Sequence, residues 1–550
     1  MSLAAPRRLA LAVTALLGAC SHHDDPQARI TAPAISVGSA LAGVQTVARM
    51  IEDFPRSLDP QLTTDIPAQR VLDDLFEGLV TLDIDGRPIP GAATSWQLSA
   101  DGKTWIFHLR EGARWSNGAP VTAEDFLYSW RREVDPKTGA GYAQALSPIV
   151  NAMDIALGRK PAETLGVEAN DAHTLTVHLV APTPYLLELL DQVYLYPVYR
   201  PAIERYGDDW VRPEHIVSNG AFALHEETIG NRITLSANPY YWDAARVHLQ
   251  SVVYYSIPDR AQAVLRYLAG DVQFTDSFAA SQRPWLKRTL GEQVVNSPWL
   301  GIYMLGFNFK LPPFRDNAPL RRALNLAVDR AALTRALKYD MYQPADTLMP
   351  PLSGYQPQHP PWAASSQLER NALAQRLYRE AGYSREHPLR VNISTPVQGA
   401  DERHYFEAVA AMWHAVLGAD VSLDESEFRV LVQNRELHLL PLYQAAWIGD
   451  FPDPVNFLQL FYSGNALNYG LYSNAHFDAL LDAAAQEPDN AVRYRLLEQA
   501  EQQLNDDAAY LPLYYYATRH LIKPYVQGWH SNLVDRNLSR YLYILEHQGS

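Results

Sequence analysis

The sequence predicts an α/β protein of several lobes, and three observations carry that prediction. Strand-like and helix-like stretches alternate along the chain without a regular βα period. No internal repeat of roughly 20–50 residues is visible. The 550 residues are 47% hydrophobic, enough for an ample core and, at roughly 100–200 residues per domain, for more than one domain.

The N-terminus stands apart from that body. Arg7 and Arg8 precede an apolar run, Leu9–Ala19, that suits the core of a signal peptide and falls well short of the roughly 20 residues that span a bilayer. Residues 1–19 are therefore expected to direct export. Leu16-Leu17-Gly18-Ala19-Cys20 resembles the lipobox of bacterial lipoproteins, in which the cysteine sulfur takes the lipid. Cys20 is the only cysteine, so it has no internal disulfide partner, and lipidation explains its place better than a structural role does. Residues 20–45 then read as a lipidated N-terminus and flexible tether, poor in large apolar residues and mixing His, Asp, Pro, Ala, Ser and Gly. Four adjacent residues in it, His22, His23, Asp24 and Asp25, offer a metal no fixed geometry, and neither a metal nor a cofactor is expected. Ser21 follows the cysteine, which in an enteric-type cell would not retain the anchor at the inner membrane.

From Thr46 to about Arg110 the pattern is one of short β segments. Asp85-Gly86 and Asp101-Gly102 separate alternating stretches such as Trp105–Leu109, which predicts hairpins. Thr122 then precedes Glu124 and Asp125 and the apolar Phe126, Leu127 and Trp130, the signature of a capped helix with acids in its first turn. Thr174–Leu179, Ile233–Leu235 and Val252–Tyr255 read as further strands. Glu369–Ala381 and Tyr405–Leu417 carry helical stripes and end at Gly382 and Gly418, and Phe477–Ala485 and Ala491–Asn505 continue the pattern. The 38 prolines are scattered, as in ordered loops rather than a low-complexity linker.

Charge and motifs exclude several classes of function. The formal charge is −15, which makes nucleic acid an unfavourable partner. Aromatic residues make up 11% of the chain, with 31 Tyr and 12 Trp, enough to line a roomy amphipathic cleft. A hydrolase would need a Gly-x-Ser-x-Gly elbow, a His-Glu-x-x-His zinc helix or a Walker loop, and the sequence has none. His225-Glu226-Glu227 begins like the zinc motif, but Ile229 stands where the second ligand belongs. The chain is not expected to be an enzyme.

The run from Phe107-His108-Leu109-Arg110-Glu111-Gly112 through Trp115-Ser116-Asn117-Gly118 to Phe126-Leu127-Tyr128-Ser129-Trp130 resembles the signature of the oligopeptide/dipeptide/nickel class of ABC-importer binding proteins. Ser57-Leu58-Asp59-Pro60, Asp74–Leu79, Ser218–Phe222, Asn238–Trp242 and Trp447–Pro454 resemble the same family in the same order, closest to its oligopeptide branch. The resemblance covers most of the chain after the tether. It implies a two-lobed clamshell of the periplasmic-binding-protein type with an extra domain, discontinuous lobes and a hinge that the chain crosses twice. By that likeness domain I takes residues 46–76, 203–302 and 519–550, domain II residues 77–202, and domain III residues 303–518.

The same resemblance assigns roles. A receptor for peptides of any sequence must grip the ammonium, the backbone amides and the carboxylate that all peptides share. Asp450 matches the acid that pairs with the ligand amine. Thr64-Asp65-Ile66 and Ala446-Trp447-Ile448 match the two edges to which peptide amides bond by strand addition. Tyr142, Phe428 and Tyr516 match pocket-lining positions, and Lys338 and Arg435 match cations that meet peptide C-termini. Gln444 departs from the pattern, standing where well-known oligopeptide binders carry an arginine, which leaves the preferred ligand length open. The function implied is capture of short peptides and delivery to the permease subunits of an ABC importer, by a monomer held to the membrane through Cys20 in the periplasm. A murein-peptide receptor on the same fold and a lipoprotein chaperone or receptor without transport are the alternatives.

Overall fold

The computed structural model describes residues 35–338, 340–397 and 400–548, with the backbone alone at 338, 400 and 401. The export segment, Cys20, residues 20–34 of the tether and the Lys338 side chain lie outside the described residues.

Three sheets frame the molecule. In the first, Thr46–Ile51 runs parallel to Ser251–Ser256, and the ladder continues antiparallel through Arg232–Ala237 to Phe222–Thr228. The second is antiparallel, in the order Ala93–Leu98, Thr104–Leu109, Thr174–His178, Val167–Asp171. The third has six strands, in the order Gln343–Pro344, Tyr510–Leu521, Val294–Phe307, Leu442–Ile448, Arg390–Pro396, Asp420–Ser426.

Local sequence accounts for much of this. Asp101-Gly102 closes the hairpin between Ala93–Leu98 and Thr104–Leu109, and Asp85-Gly86 closes the one between Val80–Leu82 and Pro88–Pro90. Gly86 and Gly102 have φ of +78° and +70°, conformations that a side chain would strain. Helix Ala123–Val134 starts where the Thr122 N–H donates to the Asp125 carboxylate at 2.7 Å, and it buries Phe126, Leu127 and Trp130 as its stripe predicts. The four later helices span Gln367–Glu380, Ala400–Leu417, Ala475–Gln486 and Asn490–Asp506.

Two segments depart from the sequence expectation. A helix, Ile66–Leu75, interrupts the β segments between Thr46 and Arg110. Its signals are present in the sequence: Asp65 caps it by accepting from the Ala68 N–H at 2.8 Å, Pro67 occupies the first turn, and Ala68, Val71, Leu72 and Leu75 form a buried stripe. Part of the expected tether is ordered, since Ser36–Leu41 pairs antiparallel with the C-terminal strand Tyr543–Gln548. Most of that strand's side chains are exposed, so no apolar alternation announces it, and main-chain pairing with a distant partner holds it.

The cores follow the sheets. The first two sheets share one apolar core that includes Val47, Phe107, Trp130 and Val252. The six-stranded sheet is covered on both faces. Along Val294–Phe307, Tyr303, Leu305 and Phe307 join one core while Ile302 and Met304 join the other. Burial of both faces is why the stretch Trp299–Phe307 of this strand carries apolar residues on both faces rather than alternating with polar ones. The C-terminal stretch returns to the first body, where Ile522, Val526, Leu542 and Ile544 enter its core.

Candidate functional site

Segments far apart in the chain wall a chamber of about 930 Å³ that opens to solvent. Thr63–Ile66 form one side, Tyr142 and Gln192–Tyr194 another, and Ile448–Asp450 with Trp299 a third, while Arg70, Val534 and Arg536 complete it.

Sheet register delivers Asp450. Strand Leu442–Ile448 pairs with Val294–Phe307 from Leu442 opposite Phe307 to Ile448 opposite Gly301, and the Gly449 N–H donates to the Leu300 carbonyl at 2.7 Å. A Cβ on Gly449 would stand 2.9 Å from the Leu300 side chain, so the backbone could not approach this closely with a larger residue. Asp450 follows directly, with its carboxyl pushed up to about 6 by burial, an effect that the nearby Asn456 amide partly offsets. No cation pairs with it among the described residues. Its carbonyl accepts from Gln192 Nε2 at 2.7 Å, and the ring of the adjacent Phe451 stacks on Tyr185 at 4.8 Å. Tyr142 and Tyr194 stack at 4.6 Å in the same wall.

The two arginines in the wall are already paired. Arg70 bonds to Asp535 and lies 3.6 Å from Asp276. Arg536 bonds to both Asp73 and Asp191 and donates to the Tyr196 hydroxyl at 2.7 Å. Asp450 is thus a partly enclosed acid with no counter-charge beside cations that are already neutralised.

Residues 87–469 match the family model for bacterial extracellular solute-binding proteins, family 5. The chain belongs to that family. It is 36% identical over 520 residues to the periplasmic oligopeptide-binding protein OppA of Escherichia coli, covering 93% of this chain and 95% of the relative. The solved structure of the Escherichia coli murein tripeptide binding protein MppA matches with a TM-score of 0.80 at 35% identity, covering 92% of this chain and all of that one. Haemophilus influenzae OppA in complex with RPPGFSPFR matches with a TM-score of 0.77 at 34% identity, with the same coverage. The fold is therefore the two-lobed α/β fold of periplasmic solute-binding proteins.

A second cavity of this family 5 protein, of about 540 Å³, is lined by Ala446, Trp447 and Arg435 and by rings that include Phe307, Tyr469 and Tyr510. Arg435 is half-buried, and its charge is disfavoured by that burial. Its guanidinium lies 5.1 Å from the centre of the Tyr469 ring and donates to the Gln444 carbonyl at 3.3 Å. It makes no carboxylate pair among the described residues, and its Nε is shielded from solvent without an acceptor. Gln444 is 5% exposed, so the position where an arginine was anticipated holds a buried neutral amide.

Of the residues singled out from sequence, Thr64, Asp65, Ile66, Tyr142, Ile448 and Asp450 line the chamber, and Ala446, Trp447 and Arg435 line the second cavity. Tyr516 lines neither, being packed edge-on to Trp299 at 5.9 Å. Phe428 lines neither and is 57% exposed at the start of helix Phe428–Glu436. Sequence reading did not single out Gln192, Tyr194, Trp299 and Arg536. No local motif marks them. Trp299 reaches the chamber because it lies just past the last pair of the ladder, opposite Asp450, and only knowledge of the register would have placed it there. Among the described residues no group of three or more His, Cys, Asp or Glu side chains could hold a metal ion, and no helix is long and apolar enough to cross a membrane.

Proposed function

We propose that this family 5 protein is an extracytoplasmic peptide-binding protein that captures short peptides by amine, backbone and carboxylate and hands them to an ABC importer. The observation that carries the reading is Asp450, a carboxylate in the wall of a roomy chamber with no cation of its own. Such a group is costly to enclose unless a ligand supplies the opposite charge, and a peptide ammonium does so with charge-assisted hydrogen bonds.

The backbone edges fit the same ligand. Strand Leu442–Ile448 is paired on one side with Val294–Phe307, while on its other side, among the described residues, only Tyr443 pairs, with Ser394. Ala446–Ile448 therefore keep a free edge for strand addition, which gives affinity that does not depend on ligand sequence. Arg435, unpaired and partly enclosed, is suited to the far carboxylate. Likeness to OppA of Escherichia coli and of Haemophilus influenzae adds to the reading. On this view the chain is a binding protein and not an enzyme, acts as a monomer in the periplasm, and is anchored by a lipid on Cys20. Its lobes would divide as 46–76, 203–302 and 519–550 for domain I, 77–202 for domain II and 303–518 for domain III.

A second reading, capture of murein peptides, is favoured by one observation. The position where the oligopeptide resemblance implies an arginine for the carboxylate of a mid-length peptide holds Gln444, a buried neutral amide. Likeness to the murein tripeptide binding protein MppA points the same way.

The test is a thermal-shift and calorimetry comparison of free tripeptides with their N-acetylated forms. Free peptides are expected to stabilise the purified protein by about 2.7 kcal/mol at 100 times the dissociation constant, and acetylation to abolish most of that gain. Equal binding of acetylated peptides would overturn the reading. Native mass spectrometry of the protein as isolated, read against the masses of ordinary and murein peptides, separates the two ligand classes.

A further inference from the structure

The chamber wall contains a second acid that nothing answers. Asp65 spends one oxygen on capping helix Ile66–Leu75, where Oδ1 accepts from the Ala68 N–H at 2.8 Å. Its other oxygen, Oδ2, is shielded from solvent and accepts no hydrogen bond among the described residues. Two residues earlier, Thr63 is only 3% exposed, lines the same chamber, and leaves its hydroxyl without a partner. Buried polar atoms in folded proteins nearly always find partners, so two orphans on residues lining one cavity call for an external one.

The surroundings say what kind of partner. Asp65, Asp450 and Tyr142 line the same chamber, and the Tyr142 hydroxyl is raised first by burial and further by these two charges. The cations lining the chamber, Arg70 and Arg536, are each bonded to carboxylates of their own. The adjoining cavity beyond Trp299 also touches Asp65 and contains Arg56 and Arg519, and neither pairs with it. Of the four charged side chains lining the chamber, the two cations are bonded to acids outside that lining and the two carboxylates have no cation partner among the described residues. A peptide amine can neutralise one of them. An ammonium has three N–H donors and no acceptor, which suits a carboxylate oxygen and a hydroxyl that line one chamber.

We propose that Asp65, with Thr63, is a specificity site for a cationic side chain, so that the preferred ligand is a peptide carrying a lysine-like residue besides its free amine. This deepens the peptide reading and depends on it. The amine goes to Asp450, the side-chain ammonium to Asp65 Oδ2 and the Thr63 hydroxyl. Affinity at this second point comes from charge and is lost when the charge is removed at constant shape.

The experiment is calorimetry on the mature protein with tripeptides of alanine in which one position at a time is lysine, norleucine or glutamate. Norleucine keeps the methylene stem of lysine and lacks its charge. One lysine position is expected to bind roughly ten-fold or more tighter than its norleucine counterpart, with glutamate weakest. Asp65→Ser keeps an oxygen for the helix cap and should bring that ratio to within roughly two-fold, while Thr63→Val should narrow it in part. Equal binding of lysine and norleucine at every position would overturn the proposal, and so would a ratio that survives Asp65→Ser. Failure of all the peptides to bind would overturn the peptide reading itself, a result distinct from binding without charge preference.

Discussion

The buried arginines around the chamber and the acids that face into it follow opposite rules. Arg536 is shared between Asp73 and Asp191, Arg540 pairs with Glu77 at 2.9 Å, and Asp535 bridges Arg70 and His520, all with side chains less than a tenth exposed. Burial by itself would raise the Asp535 carboxyl, but Arg70 and His520 hold it down at about 2. Asp450, partly enclosed and with no cation partner among the described residues, is pushed up to about 6 by burial. The difference separates two uses of a buried charge. Where the chain supplies both members of a pair, the charge belongs to the fold. Where, as at Asp450 in the chamber wall, it supplies only one, the proposed reading leaves the other to a ligand.

The sharpest way to break this comparison is to remove a cation from the paired set. Arg536→Met leaves Asp73 and Asp191 enclosed without a counter-charge and should cost about 3–5 kcal/mol. A urea titration checks this as a lower midpoint at unchanged slope. An unchanged midpoint would mean that these pairs do not hold the lobe together.

Removing the unpaired acid should act on binding instead. Asp450→Asn is expected to weaken a free-amine tripeptide by about 2 kcal/mol, roughly thirty-fold, by calorimetry. The same variant without ligand should be no less stable than the parent, because it removes a charge that burial disfavours. A large loss of stability with affinity intact would reverse the roles of the two regions.

The pH responses should also oppose each other. Asp535 is depressed in the folded state, so its contribution to stability is complete above about pH 4 and is lost as pH falls towards about 2. Asp450 is raised, so in the ligand-free protein it weakens the fold as pH climbs from about 4 to about 6 and costs most above that. Binding reads the same group with the other sign, since an ammonium needs the ionised carboxylate. Affinity for a tripeptide without titrating side chains should be nearly complete at about pH 7, halved at about pH 6 and down about ten-fold by about pH 5. A flat profile in Asp450→Asn and a sloping one in the parent would sharpen the assignment.

How much of this was legible in the sequence follows from the range of the interactions. Helix Ala123–Val134 was readable from Thr122, Asp125 and the apolar stripe, because a cap and a stripe are local. The helix at Ile66–Leu75 carried equally local signals in Asp65 and Pro67, yet it was overlooked beside neighbouring strands. Asp450 came through a motif resemblance. Gln192, Trp299 and Arg536 did not, because they join the chamber only through strand register and the return of the C-terminal stretch, and no window of sequence contains both partners. The strand Ser36–Leu41 failed for the same reason, its partner Tyr543–Gln548 lying at the other end of the chain.

The smallest effect tests whether the rule extends to cations. Among the described residues Arg435 makes no carboxylate pair and donates only to the Gln444 carbonyl, and it lies over Tyr469 in the lining of the second cavity. If it awaits a ligand carboxylate, Arg435→Gln should weaken peptides with a free C-terminus by about 1 kcal/mol and leave their C-terminal amides unchanged. The loss is modest because the group is only partly enclosed, and solvent screens what the ligand gains there. Calorimetry on matched acid and amide peptides separates this from a packing role, since loss of the stacking on Tyr469 would weaken both members of each pair alike.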